Sequence, residues 1–172
     1  MRVMLSIVVG LASVLLLATL AGWMLPKDHL VTRVGRYRQK PEAIWKAITD
    51  LDQMPSWRAG LKGVKRAPDK NGLPAWIEES SAGNIALETV ESEAPWRLVT
   101  RIADPQLPFG GSWTYQIAPS EDGATLRITE NGFVSNPLFR LLSRFVFGHA
   151  TTMETYLKAL AKKFGEEPRI GS

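Results

Sequence analysis

The sequence predicts an α+β fold in which an antiparallel sheet packs against one long C-terminal helix, with a single membrane-crossing helix in front. Three observations carry this. Residues 4–25 form one apolar run, residues 30–133 divide into short alternating stretches separated by turn residues, and residues 136–164 repeat apolar side chains at helical spacing. An antiparallel sheet with one long helix on a face is a two-layer α+β solution. A sheet curved around such a helix leaves apolar space between the two, and spaces of that kind hold ligands.

Composition sets the outer bounds. A chain of 172 residues is long enough to bury a substantial core in one folded domain. The net charge of +4 is a modest excess that fits an anionic membrane surface as well as it fits no particular partner. There is no basic run and no recognition helix, so nucleic acid is not an expected partner. The absence of cysteine excludes disulfides, thiolate metal sites and a cysteine nucleophile. His29 and His149 lie far apart in sequence and lack metal-ligand spacing, so neither a metal nor another cofactor is expected.

Taken in order, the first element is the apolar run at 4–25, interrupted only by Ser6, Gly10, Ser13, Thr19 and Gly22. A bilayer core needs about 20 helical residues, and Trp23 fits an interfacial aromatic anchor. The rival reading is a cleaved secretory signal, with Arg2 as a minimal basic region and Thr19-Leu20-Ala21 resembling a cleavage site. The run exceeds the usual apolar region of about 7–15 residues and continues past that site, which favours an uncleaved anchor over residues 1–26. Lys27, Arg33, Arg36, Arg38 and Lys40 follow it, whereas only Arg2 and the amino terminus precede it. The expectation is a single-pass protein with its domain in the cytoplasm. Several of these residues belong to a strand, so a periplasmic or other extracytoplasmic placement stays open.

Residues 27–172 are the expected folded domain. Residues 30–39 read as a first strand, and Pro41 opens a short helix whose apolar side is Ala43, Ile44, Ala47 and Ile48, with Trp45 adjoining. A second helical turn follows around Pro55 and Trp57. Six more strands are expected at 61–67, 74–80, 85–92, 96–103, 111–118 and 124–133. Asp69-Lys70-Asn71-Gly72 is a hairpin signal between the first two of them. Alternation is cleanest where Trp113, Tyr115 and Ile117 face one way, and where Leu126 and Ile128 do. Asn136 caps the final helix and Pro137 occupies its first turn. Its apolar face runs from Leu138, Leu141, Leu142, Phe145 and Val146 to Met153, Tyr156, Leu157, Leu160 and Phe164, and Gly165 and Pro168 stop it. A single helix of this length would extend about 40 Å.

The order of these motifs resembles the START-like superfamily, and specifically its polyketide cyclase/dehydrase (SRPBCC) branch. The resemblance spans about residues 30–164 and leaves out the anchor. It rests on Pro41-Glu42-Ala43-Ile44-Trp45 with Asp50, Pro55-Ser56-Trp57, the stretch 60–64, Pro95-Trp96-Arg97-Leu98, Gly111-Ser112-Trp113-Thr114-Tyr115, Gly123 with Leu126-Arg127-Ile128-Thr129-Glu130, and the final helix. It implies a helix-grip fold, a curved seven-stranded antiparallel sheet around a long C-terminal helix, enclosing a cavity for hydrophobic ligands. It implies no single activity and transfers no catalytic set, because the matched motifs are structural.

Candidate site residues follow from the faces. Glu130 shares the inward parity of Leu126 and Ile128, where a carboxylate could act as a base or hold a ligand hydroxyl. The plainer reading ends the strand there, with Glu130 capping the Asn131-Gly132 turn in solvent. His149 lies on or beside the apolar stripe of the long helix, as an acid–base group or as a packed core histidine. Trp57, Trp76, Trp113 and Tyr115 are aromatic candidates for a cavity wall or for plain core, and Ile128, Phe145 and Met153 join them. Arg101 and Asp104 read as a charged pair at a cavity mouth, or as a strand face and a turn. The loop Gln106-Leu107-Pro108-Phe109-Gly110 reads as a lid, a bilayer contact or a packed loop.

Three functions remain open on this basis. The first is a membrane-tethered domain that binds a hydrophobic small molecule of the lipid, quinone or polyketide-like class, with the bilayer as partner through residues 4–25. The second is a polyketide cyclase or dehydratase using Glu130, His149 and Tyr115. The third is a protein-interaction module.

Overall fold

The computed structural model describes residues 2–81, 83–147 and 150–171. The chain begins with helix α1 (Arg2–Met24), which is long and apolar enough to cross a membrane and buries none of its most apolar stretch against the rest of the protein. Strand β1 (Asp28–Tyr37) follows, then α2 (Pro41–Thr49) and the single turn α3 (Met54–Trp57). Six strands come next: β2 (Leu61–Lys70), β3 (Leu73–Ser80), β4 (Gly83–Glu93), β5 (Arg97–Ile102), β6 (Phe109–Ser120) and β7 (Gly123–Val134). The chain closes with α4 (Pro137–Leu142), a π-helical turn (Ser143–Phe147), α5 (Thr151–Lys163) and β8 (Arg169–Gly171).

The strands form one antiparallel sheet in the order β2-β3-β4-β5-β6-β7-β1-β8. It has eight strands, not seven. The extra one pairs Arg169, Ile170 and Gly171 with Arg36, Gly35 and Val34. Three residues are too few to show a period of two. Its position is set by Gly165, whose φ of +69° turns the chain, and by Glu166, whose carboxylate accepts from the Arg38 amide at 2.9 Å and Gln39 Nε2 at 2.9 Å. The register Asp28↔Phe133 and Phe109↔Val134 puts the start of β1, the end of β7 and the start of β6 together, at the end of the sheet that α1 enters.

The core forms where α2 and α5 lie on the concave face. Ile44 and Ile48 from α2, Leu126 and Ile128 from β7, and Met153, Leu157 and Leu160 from α5 are fully buried. Each such side chain stabilises the fold by about 1.5–3 kcal/mol relative to exposure. Their spacing is the helical and strand periodicity of the sequence made physical.

The C-terminal run is not one continuous helix. Its apolar stripe meets two different receiving surfaces. α5 follows the sheet, whereas α4 follows α1. A Cβ added at Gly22 would lie 2.0 Å from the Pro137 carbonyl oxygen, so the two helix backbones touch there. Arg140 fixes the junction, donating to the carbonyls of Val134 at 2.7 Å, Ser135 at 2.9 Å and Leu25 at 3.3 Å. Asn136 caps α4 as expected, its side chain accepting from the Leu138 and Phe139 amides.

Candidate functional site

The concave face also encloses a cavity of about 500 Å³. It is not bounded chiefly by the C-terminal helix, because Met153, Leu157 and Leu160 fill that side as core. Instead it lies between β3–β6 and the α2–α3 region, and meets α5 only at Thr152. Trp45, Ile48, Leu51 and Met54 form one wall, and Trp76, Leu87, Leu98, Ile102, Phe109 and Trp113 the other. Strict strand alternation places these sheet residues inward: Trp76 and Glu78 on β3, Ile85, Leu87 and Thr89 on β4, Leu98, Thr100 and Ile102 on β5.

Three polar groupings interrupt this apolar lining. Arg58, just beyond α3, donates to both carboxylate oxygens of Glu78, one at 3.0 Å and the other closer. Trp76 Nε1 donates to the same carboxylate at 3.3 Å. Burial works against the Arg58 charge, but the Glu78 carboxylate outweighs it and holds the guanidinium more firmly charged than usual. Arg58 also lies 5.2 Å from the centre of the Tyr156 ring. Tyr156 packs edge-on to Trp57 at 5.2 Å and Trp113 at 5.8 Å, and beside Tyr115 at 5.9 Å. The Tyr156 hydroxyl and the Trp57 indole N–H are buried with no hydrogen-bond partner among the described residues.

The second grouping is the Tyr115 hydroxyl with the Thr100 side chain. Burial, the largest influence, pushes Tyr115 up to about 12, so it is a neutral hydroxyl rather than a base. The third is at the end nearest α1. Glu130 lines the cavity and its Oε1 is 3.1 Å from His29 Nε2. β7 therefore does not stop at Glu130, and the plainer expectation of a solvent cap is overturned. The strand runs on because β6 opposite it extends to Phe109, and Gly111 and Gly132 face each other in the register. Gly111, at φ +138°, would drive a Cβ to 2.3 Å from the Asn131 carbonyl oxygen, so only glycine allows this approach.

Of the other sequence candidates, Trp76, Trp113 and Tyr115 stand on the cavity wall. Trp57 packs behind it against Tyr156, and Ile128 and Met153 are fully buried core. Phe145 is 69% exposed on the π turn, because that turn leaves the sheet with α4. His149 lies outside the described residues. Arg101 and Asp104 do not form a pair at a mouth. Arg101 turns outward to Glu88, which also binds Lys70 at 2.8 Å, and Asp104 caps its own turn by accepting from the Gln106 amide at 2.9 Å. The 106–110 loop is tied down where Pro108 accepts from the Ser135 amide and hydroxyl, and its Phe109 and Gly110 reach the cavity. Sequence reasoning missed Arg58, Glu78, Thr89, Thr100 and His29 as site residues. The Trp76-Ile77-Glu78 alternation was the available signal for Glu78. Nothing local marks Arg58 or His29, whose partners are 20 and 101 residues away.

Sheet, gripping helix and internal apolar cavity define a helix-grip domain of the START-like kind. The chain belongs to the polyketide cyclase/dehydrase and lipid transport family, whose sequence model matches residues 31–165. Among solved structures, a START superfamily protein from Mycobacterium smegmatis is similar at 18% identity and TM-score 0.63, over 78% of this chain and 96% of that one. A Rhodobacter sphaeroides protein is 20% identical at TM-score 0.58, over 80% and 97% of the two chains. The di-domain aromatase/cyclase StfQ of steffimycin biosynthesis is 12% identical at TM-score 0.60, over 81% of this chain and 52% of that one. At these identities the likeness is one of fold. No curated protein matches the chain.

Proposed function

We propose that this protein binds an apolar small molecule of the lipid, quinone or polyketide-like class while tethered to a membrane by α1, with its domain on the cytoplasmic side. The observation that carries the reading is the cavity of about 500 Å³, whose surface is mostly apolar, with tryptophan, leucine and isoleucine in its walls and polar side chains set among them. Its size and chemistry are those of a small-molecule site. A ligand with one oxygen-bearing end suits the Arg58, Glu78 and Tyr115 region, and its body suits the Leu87, Leu98 and Trp113 walls. Tethering at the bilayer raises the local concentration of the domain where such ligands partition. Lys27 and the basic residues after α1 support the cytoplasmic placement.

The test is mass spectrometry of small molecules extracted from residues 27–172, purified without detergent from the native host. A stoichiometric apolar compound, lost in a cavity-filling Leu87→Trp variant, is the expected outcome. A folded domain that carries no compound and takes up none from added lipid, quinone or polyketide extracts overturns the reading.

One observation favours a second reading, an acid–base enzyme of the cyclase or dehydratase class. Glu130 reaches the cavity in contact with His29, and Tyr115 offers a neutral hydroxyl on the same wall. In that case Glu130→Gln retains the bound compound and abolishes its conversion. Equal conversion by both proteins removes Glu130 from the chemistry.

A further inference from the structure

Three large apolar side chains stand in solvent on one short segment. Phe139 is 47%, Leu142 41% and Phe145 69% exposed. They recur every third residue over α4 and the π turn. The segment is held in place rather than swinging. Gly22 admits the Pro137 carbonyl, and Arg140 grips the carbonyls of Leu25, Val134 and Ser135. The start of the segment therefore stands beside the last turn of α1, where Trp23 and Met24 are also exposed. Cations neighbour the segment, Lys27, Arg140 and Arg144 lining one small pocket with Leu25. Lys27 Nζ sits 5.2 Å over the Phe133 ring, and Arg144 is exposed next to Phe145. This is the arrangement of an interfacial helix, with apolar and aromatic side chains toward acyl chains and basic groups toward anionic headgroups. The register adds one more fact. Phe109 and Gly110, which line the cavity, pair with Val134 and Phe133 immediately before α4.

We propose that α4 and the π turn are a second membrane contact, in which Phe139, Leu142 and Phe145 enter the interface of the bilayer that α1 crosses. This seats the Phe109 end of the cavity on the leaflet, so that an apolar ligand passes between bilayer and cavity without crossing water. The inference rests on α1 being a membrane span. It goes beyond tethering because a span alone leaves the domain free to stand off the surface.

The chain contains no cysteine, so single labels can be placed in the full-length protein. Phe139→Cys, Leu142→Cys and Phe145→Cys would each carry an environment-sensitive fluorophore in vesicles of phosphatidylcholine with a minority of phosphatidylglycerol. Leu11→Cys reports the middle of α1, and Val90→Cys, 45% exposed on β4, reports an aqueous surface. Nitroxide lipids labelled at shallow depth should quench the three test positions several-fold more than Val90, with blue-shifted emission. The deep nitroxide lipid should quench Leu11. If Leu11 is quenched but the three positions match Val90, the interfacial contact is wrong and the tether stands. If the three are shielded from lipid and aqueous quenchers alike, a protein surface covers them and the proposal fails. If Leu11 escapes lipid quenching, the tether fails and the proposal with it. The three positions are read separately, each after its circular dichroism has been matched to the parent, so one misfolded variant decides nothing.

Discussion

Glu130 and His29 meet where Gly132 leaves them room. A Cβ at Gly132 would lie 2.5 Å from His29 Nε2 and 3.1 Å from Glu130 Oε1. Both are ends of side chains, which can move, so Gly132→Ala should cost no more than about 1 kcal/mol while separating the pair. The check is NMR of the His29 ring. Its resonances should move clearly while the amide shifts of β2 to β4 hold, and unchanged ring shifts would show that the pair tolerates the methyl. Tyr115 gives a complementary case. Tyr115→Phe strands the Thr100 hydroxyl, which is buried, and should lower stability by about 1–2 kcal/mol in urea unfolding. Burial holds the Tyr115 hydroxyl neutral until pH approaches about 12, so ligand retention should show no Tyr115-dependent step at physiological pH. At this scale the alternation of Leu126, Ile128 and Glu130 was legible, and it pointed inward correctly. The Asn131-Gly132 turn signal misled, because the residues that keep β7 extended belong to β6 and β1, and the sequence does not print their register.

The elements were legible wherever one periodicity met one surface. β6 and β7 alternate cleanly and form the longest pairing, and α2 buries Ile44, Ala47 and Ile48 as its spacing demands. The C-terminal run kept its helical period through a change of partner, and period alone does not reveal which surface receives which half. Gly22→Val tests the α1–α4 contact. The clash is with backbone atoms at 2.0 and 2.6 Å, so α4 must shift away. Hydrogen exchange should rise in α4 and stay unchanged in α5. Equal protection in both would mean that α4 holds its place without α1. On the outer face, Glu88 accepts hydrogen bonds from Lys70 and from Arg101, and they hold its carboxyl below the usual glutamate range. A group with a lowered folded value contributes stability above its ordinary value of about 4.3, and loses it as pH falls through the lowered one. Glu88→Gln should therefore be less stable at neutral pH and converge on the parent in acid. A difference that stays constant from neutral to acid pH would show that Glu88 acts by packing rather than charge.

For the whole molecule, composition and element order were enough to place the chain among α+β helix-grip domains with an apolar helix in front. They could not supply the eighth strand or the seat of the cavity. Both depend on contacts between distant segments: β8 returns to β1, and the cavity is the volume that α5 does not fill. The same separation of parts leads to a test of how the molecule is assembled. The core draws on α2, α5 and the sheet, and among the described residues none of it comes from α1. Residues 27–172 should therefore fold alone and unfold cooperatively. Leu157→Ala should destabilise that fragment by about 2–5 kcal/mol, because its side chain is fully buried at the centre of the grip. α4 should behave differently. Without α1 it loses the Pro137 contact at Gly22 and the Leu25 carbonyl that Arg140 holds, and keeps the carbonyls of Val134 and Ser135 and its Asn136 cap. Hydrogen exchange on the fragment should thus show full protection in α5 and β7 and little in α4. Full protection of α4 would mean that its position is set by the domain itself, and α1 would then be a passive leash rather than part of the surface that orients the domain.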